Sequence, residues 1–193
     1  MKKHLLAFTL IFATAFINLP VYAGFDEGAT AYEKGDYATA LKEFKPLAEQ
    51  GLAIAQTLVG SMYGEGKGVT QDYVQAVSWY RKAAEQGYAI AQNNLGFMYR
   101  TGKGVTQDYV QAVSWYRKAA EQGNAFAQSN LGAMYDTGQG VTQDYVQAHK
   151  WFNLAGANGE KDAVEARDLI EKRMNKSQIE KAQALASAWR PKK

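Results

Sequence analysis

A block of 36 residues occurs three times in succession in this chain, and this repetition restricts the fold more than any other feature. The copies are Leu52–Gly87, Tyr88–Gly123 and Asn124–Gly159, and they align without a gap. The first two copies agree at 29 of 36 positions. A fixed period of about 20 to 50 residues is typical of solenoids, in which each unit buries its apolar face against its neighbours. The sequence therefore predicts one stacked array rather than independent globular domains.

Each copy is predicted to form two α-helices joined by a glycine-rich connector. Apolar residues at helical spacing predict a first helix from about Ala89 to Tyr99 in the second copy. Asp108, followed by Gln111, is a variant of the capping box and predicts the start of the second helix. Gly123 is a residue type that commonly ends a helix. The predicted fold class is therefore all-α, an α/α solenoid of helix pairs with a 36-residue period.

Two residue types recur with the period, and both are interpreted as structural. Aromatic residues that repeat with the structural unit are typical of a core rather than of a ligand-stacking ladder, and a glycine inside a helix suggests close approach of a second helix. The tryptophans are Trp79, Trp115 and Trp151, and the glycines are Gly60, Gly96 and Gly132.

The segments on either side of the copies are predicted to complete the array. Residues 24–51 form a degenerate helix pair, in which Pro46 should bend or shorten the second helix because proline removes a helical hydrogen bond. Residues 160–193 provide C-terminal capping helices and a short tail. We expect one charged helix over Lys161–Met174 and another that is opened by a capping box at Ser177–Glu180.

Residues 1–23 have the pattern of a secretory signal peptide. Lys2 and Lys3 precede an uncharged apolar run from Leu5 to Leu19, and small residues occupy the positions before a predicted cleavage after Ala23. The alternative is a membrane anchor, for which the run is short against the ~20 residues that span a bilayer. The predicted location is the periplasm or the cell exterior, without membrane insertion after cleavage. The chain has no cysteine, so its stability must come from packing.

Charge and residue types argue against several functions. The formal net charge of +3 falls to +1 when Lys2 and Lys3 are removed, which is too little for a nucleic-acid-binding surface. His149 is the one histidine after the predicted cleavage site, so with no cysteine we expect neither a transition-metal site nor a cofactor. Because it replaces a valine of the other copies, it is interpreted as a packing residue. The sequence predicts no catalytic residue.

One motif in the copies resembles a known family. From Ala91 to Gly123 the second copy reads A-x-x-x-L-G-x-M-Y-x-x-G-x-G-V-x-x-D-Y-x-x-A-x-x-W-Y-x-x-A-A-x-x-G. This motif resembles the Sel-one-like repeat of bacterial proteins, a family related to the tetratricopeptide repeats. The resemblance implies a right-handed α/α superhelix that holds proteins together or binds ligands in a groove. A cysteine-rich branch of the family carries penicillin-binding or β-lactamase labels, but this chain lacks both the cysteines and the Ser-x-x-Lys, Ser-Asp-Asn and Lys-Thr-Gly motifs.

The differences between copies concentrate on one stripe of the first helix of each pair. Asn93, Phe97 and Arg100 have the spacing i, i+4, i+7, which places them on one helix face. In related solenoids this helix lines the concave binding surface. We hypothesise that a peptide or protein partner contacts this stripe, and the alternative is neutral drift on an exposed face. The hypothesised contact residues are Asn93, Asn94, Phe97, Arg100, Asn130 and Asp136.

Three classes of function remain open at this stage. The favoured one is a non-enzymatic protein- or peptide-binding scaffold in the bacterial cell envelope or outside the cell. The alternatives are a hydrolase of cell-wall or β-lactam substrates, which the missing motifs disfavour, and a self-associating structural protein. The sequence fixes neither the partner nor the oligomeric state.

Overall fold

The computed structural model describes residues 24–192, and the predicted signal peptide lies outside the described residues. Within 24–192 the ordered elements are ten α-helices, and no β-strand occurs there. The all-α repeat fold predicted from the sequence is therefore confirmed. The helices are α1 (24–33), α2 (Tyr37–Glu49), α3 (Ala53–Glu65), α4 (Tyr73–Glu85), α5 (Ala89–Thr101), α6 (Tyr109–Glu121), α7 (Ala125–Thr137), α8 (Tyr145–Ala157), α9 (Lys161–Glu171) and α10 (Lys176–Ala188).

The chain consists of two compact units, Met1–Trp79 and Tyr80–Lys193, with the boundary inside α4. In the first unit, α1 to α3 and the start of α4 surround the buried ring of Phe44. Pro46 does not shorten α2, which has the same 13 residues as α4, α6 and α8. The predicted shortening does not occur, because the buried Leu47 and Ala48 anchor the last turn after Pro46.

In the second unit, glycines in the first helix of a pair receive an aromatic ring from the second. A Cβ atom on Gly96 would lie 2.8 Å from Cδ1 of Tyr116, and one on Gly132 would lie 2.9 Å from Cδ1 of Phe152. Real side chains do not approach this closely, so only glycine permits the contact. The close helix approach predicted at these two glycines is confirmed.

The tryptophans are not equivalent, although the sequence predicted a core position for all three. Trp79 and Trp151 are buried, and Trp151 meets Trp189 edge to face with ring centroids 6.4 Å apart. Trp115 is only half-buried, and Nζ of Lys118 lies 4.0 Å from its ring centroid. The prediction was wrong for Trp115, because the neighbouring helices leave part of its ring uncovered and Lys118 lies over it.

Buried glutamines connect successive helix pairs. Each donates its side-chain amide to an alanine carbonyl at the end of the preceding helix, over 3.0 to 3.2 Å. Two of them also accept a hydrogen bond from an amide side chain at the end of the following helix, over 2.7 and 3.0 Å. Because a buried amide needs all its partners, these bonds fix how far one pair is displaced along the next. The pairs are Gln56 with Ala48, Gln92 with Ala84 and Gln122, and Gln128 with Ala120 and Asn158.

The first C-terminal helix begins at Lys161 as predicted, but its end and the start of the second differ from the prediction. The first, α9, ends at Glu171 rather than at Met174. The capping residue of α10 is Asn175, which exchanges hydrogen bonds of 2.9 and 3.0 Å with Gln178. Asparagine caps a helix as well as serine does, so the capping box begins two residues before the one predicted at Ser177.

Candidate functional site

The structure brings the hypothesised contact residues of α5 and α7 onto one surface. The Asn130 side chain donates from Nδ2 to Oδ1 of Asn93 over 3.1 Å, and Asn93 donates to Oδ1 of Asn94 over 3.4 Å. All three are partly exposed. Amide groups from two successive repeats thus form one connected polar strip. We call the surface around it the α5–α7 face, which comprises Ile90, Asn93, Asn94, Phe97 and Arg100 of α5 with Phe126, Asn130, Ala133 and Asp136 of α7.

Large apolar side chains flank the amides on the same face. Ile90 is 47% exposed and Phe126 is 60% exposed, and each stands four residues before an asparagine of the strip. Phe97 is exposed as well. Residues at i, i+4 and i+7 share a helix face, so Ile90, Asn94 and Phe97 are neighbours. Ile90 and Phe126 were not predicted as part of the face. They occupy the same position in the second and third copies, and the recurrence of a large apolar residue there could have indicated them.

The face itself contains one cation, Arg100, and one carboxylate, Asp136, and two further cations, Lys103 and Arg173, lie beside it. The guanidinium carbon of Arg100 lies 5.5 Å from the centre of the Phe97 ring, and Nζ of Lys103 lies 5.6 Å from it. The one carboxylate, Asp136, is balanced by Nη1 of Arg173 at 3.5 Å from its Oδ1. Because that negative charge is already paired, the charge that the face offers to a partner is positive.

Beneath this face, the fully buried side chain of Tyr116 packs on Gly96. Burial raises the pKa of Tyr116 to about 12, against the opposing influence of the nearby Arg100 guanidinium. Among the described residues, neither the Tyr116 hydroxyl nor Nε of Arg100 has a short hydrogen bond, although the two side chains interact with each other. A buried polar group left without a partner costs about 1–3 kcal/mol, so this pair of side chains has unused hydrogen-bonding capacity.

His149 lies apart from this face, as a packing residue. It is 1% exposed, and its Nε2 lies 2.6 Å from Oε1 of Glu171, which connects α8 to α9. The sequence analysis predicted the packing role but not the partner, since nothing in the local sequence relates residues 22 positions apart. In residues 24–192 there is no group of three or more histidines or carboxylates placed to hold a metal ion. Asp108, which the sequence predicts at the start of α6, accepts a backbone hydrogen bond there, and Asp144 does the same at the start of α8.

Repeated helix pairs of constant length, joined by buried amides, define the class of α/α repeat scaffolds. The model of the Sel1 repeat family matches residues 53–88, 89–124 and 125–160, which is more than half of the chain. The chain belongs to the Sel1 repeat family, as the resemblance in its sequence implied.

Solved structures of related proteins agree with this assignment. A Sel1 repeat protein from Oxalobacter formigenes is 38% identical, with a TM-score of 0.70, and the match covers 74% of this chain and 59% of that one. The second is c5321, a protective antigen present in uropathogenic Escherichia coli strains that displays an SLR fold. It is also 38% identical, with a TM-score of 0.75 and coverage of 89% and 38%. This chain therefore spans little more than half of the first protein and well under half of the second.

A third structure shows the fold alone. Cysteine-rich protein B of Helicobacter pylori is 22% identical, with a TM-score of 0.56 over 67% of this chain and 96% of that one. No curated protein matches the sequence of this chain.

Membership of the family carries a general expectation about function. Sel1 repeat proteins are scaffolds that generally mediate protein interactions and are generally non-enzymatic. None of the helices within residues 24–192 has the length and apolar character needed to cross a membrane.

Proposed function

We propose that this protein is a non-enzymatic scaffold that binds a protein or peptide through its α5–α7 face. The observation that carries the proposal is the composition of that face, where amides bridged across two repeats lie among three exposed large apolar side chains. Exposed apolar groups that cluster beside polar ones are typical of interaction surfaces. Aromatic and arginine residues, here Phe97 and Arg100, are also enriched where binding energy concentrates.

The amide strip suits a polypeptide partner. An asparagine side chain offers both donors and acceptors, so it can pair with the N–H and the C=O of a peptide backbone. Asn93 and Asn130 come from different repeats, and a segment bound to both would contact two copies at once. Neutral drift explains why the copies differ here, but it does not explain why the differing residues form hydrogen bonds with each other.

We place this function in the bacterial cell envelope or outside the cell. The support comes from the predicted signal peptide and from the similarity to c5321, which is described in its own right as a protective antigen of uropathogenic Escherichia coli. We infer no enzymatic activity. His149 is enclosed and paired with Glu171, so it is poorly placed to act as a general base.

The proposal is tested by capture of partners from an envelope extract of the cells that make the protein. A variant with Asn93, Phe97 and Arg100 changed to alanine should lose specific partners, because it removes both an amide and the anchoring side chains. The matched control changes three exposed residues of α6 to alanine: Val110, Gln111 and Ser114. Retention of every partner by the first variant, with unchanged helix content by circular dichroism, would count against the α5–α7 face.

A further inference from the structure

We propose that the α5–α7 face recognises an acidic side chain within an extended peptide segment, and that Arg100 binds its carboxylate. This inference rests on the proposed function and names the chemistry of the partner. It starts from a difference between the copies, because the residues equivalent to Arg100 are Gly64 and Asp136. The cation at this position belongs to the second copy alone, so stacking of the repeats does not require it.

Arg100 is less firmly held than two other arginines of the same unit. Arg81 and Arg117 donate to the hydroxyl oxygens of Tyr99 and Tyr135 over 2.9 and 3.0 Å. Arg100 lies over the Phe97 ring and interacts with the Tyr116 hydroxyl without a short hydrogen bond. Its Nε has no hydrogen-bond partner among the described residues, and it forms no ion pair with a carboxylate of that part of the chain. A guanidinium has five N–H donors in a planar arrangement that matches the two oxygens of a carboxylate.

The Tyr116 hydroxyl lies next to Arg100 and interacts with its guanidinium, although no short hydrogen bond joins the two groups. Tyr116 is fully buried. The same position is Tyr80 in the first copy and Phe152 in the third, so packing accepts a side chain with or without the hydroxyl. Arginine side chains are long and flexible, and Arg100 is only half-buried. A bound carboxylate can therefore turn the guanidinium so that Nε and the hydroxyl both gain partners.

Charge favours an acidic segment over a neutral one. Nζ of Lys103 adds a second positive charge near the Phe97 ring, and the carboxylate of Asp136 is already balanced by Arg173. A positive surface attracts an anionic partner and disfavours a cationic one. Lys103 follows Arg100 in the chain, so positive charge continues beyond the proposed carboxylate site. This arrangement favours a peptide that passes across the face with an internal acidic residue over a peptide whose C-terminus lies there.

The distances fit one short segment. Arg100 follows Asn93 by seven residues, which is about 10 Å along a helix with a rise of ~1.5 Å per residue. An extended peptide covers this length with about three residues, at ~3.3 Å each. One segment can therefore bond its backbone to the Asn93–Asn130 amides and place a carboxylate at Arg100.

The test is a binding array probed with the purified full chain. Each 12-residue peptide on the array has a blocked N-terminus and an amidated C-terminus. Every acidic sequence is paired with a copy in which glutamine and asparagine replace glutamate and aspartate, and with a second neutral copy that has a free C-terminal carboxylate. Three proteins are compared: the unchanged chain, Arg100→Gln, and Arg190→Gln as a control that removes the same charge from the exposed tail.

We expect acidic peptides to bind the unchanged chain and Arg190→Gln equally, and Arg100→Gln at least about tenfold more weakly, as is usual for loss of a charge pair. The neutral copies should bind weakly and should not distinguish the three proteins. Tyr116→Phe, which introduces the residue of the third copy, should reduce the preference for acidic over neutral copies. Binding of acidic peptides should also weaken as salt is raised.

The inference is overturned if no acidic peptide binds, if neutral copies bind as well, if only a free C-terminal carboxylate is recognised, or if both arginine variants behave alike. These failures are distinguishable from failure of the proposed function. If the triple alanine variant still loses a partner in the capture experiment, the binding face stands and only the acidic specificity is wrong.

Discussion

At the scale of single residues, the buried glutamines show how the repeats are held in position. Gln128 is fully buried, donates to the carbonyl oxygen of Ala120 over 3.2 Å and accepts from Nδ2 of Asn158 over 3.0 Å. An apolar side chain of similar size would fill the space but would lose both hydrogen bonds, and the Ala120 carbonyl would keep only backbone donors such as the Gly123 N–H. The sequence analysis did not single out this position, because a glutamine that does not vary between copies resembles a neutral surface residue until its burial is known.

We predict that Gln128→Leu lowers the free energy of unfolding by about 1–3 kcal/mol, because two hydrogen bonds are lost and each contributes about 0.5–1.5 kcal/mol. Urea unfolding followed by circular dichroism measures the change. Gln183→Leu, at an exposed position of α10, is the matched control and should change stability by less than about 0.5 kcal/mol. Equal stability of the two variants would show that the buried amide does not hold the pairs together.

At the scale of elements, the contact between α8 and α9 depends on an asymmetric pair. His149 is almost fully enclosed, whereas the Glu171 side chain is 33% exposed. The carboxylate can turn toward water if its partner is lost, but the imidazole cannot. The first two copies have Val77 and Val113 at the position of His149, so valine fits that site in the repeat.

We therefore predict that Glu171→Ala destabilises the protein more than His149→Val does. The first change leaves a buried imidazole without its hydrogen-bond partner, at a cost of about 1–3 kcal/mol. The second change removes the buried imidazole itself, so no buried group is left without a partner. It leaves only the Glu171 carboxylate unpaired, and that group is already partly solvated. Urea unfolding midpoints of the two variants and of the unchanged chain measure the difference. A lower stability of His149→Val than of Glu171→Ala would contradict the described pairing.

The elements also show what could be predicted from the sequence. The start of α6 at Asp108 and its pairing with α5 follow from local patterns that recur with the period, so they were predictable. The exposure of Trp115 and the length of α2 were not. Each depends on side chains that pack against the residue from other helices. Near-identical copies have different neighbours, so their sequences alone do not show these contacts.

At the scale of the whole molecule, the candidate site belongs to no single repeat. The differences between copies located its polar residues, but Ile90 and Phe126 escaped notice because both are apolar and the copies therefore look alike there. The bond between Asn93 and Asn130 relates residues 37 positions apart, which a comparison of equivalent positions does not reveal. The repeated sequence is therefore enough to predict the fold. The site also depends on contacts between the second and third copies, which the repetition does not show.

The central claim is that the α5–α7 face contacts a protein or peptide partner, and site-specific photocrosslinking in intact cells tests it most directly. A photoreactive phenylalanine analogue replaces Phe97 or Phe126 on the face, and Val110 on the outer side of α6 as a control. All three positions are exposed, so the analogue should not disturb folding. We predict that positions 97 and 126 crosslink to the same polypeptide, identified by mass spectrometry, and that position 110 does not. Crosslinks only to further copies of this chain, or no more at 97 and 126 than at 110, would contradict the account.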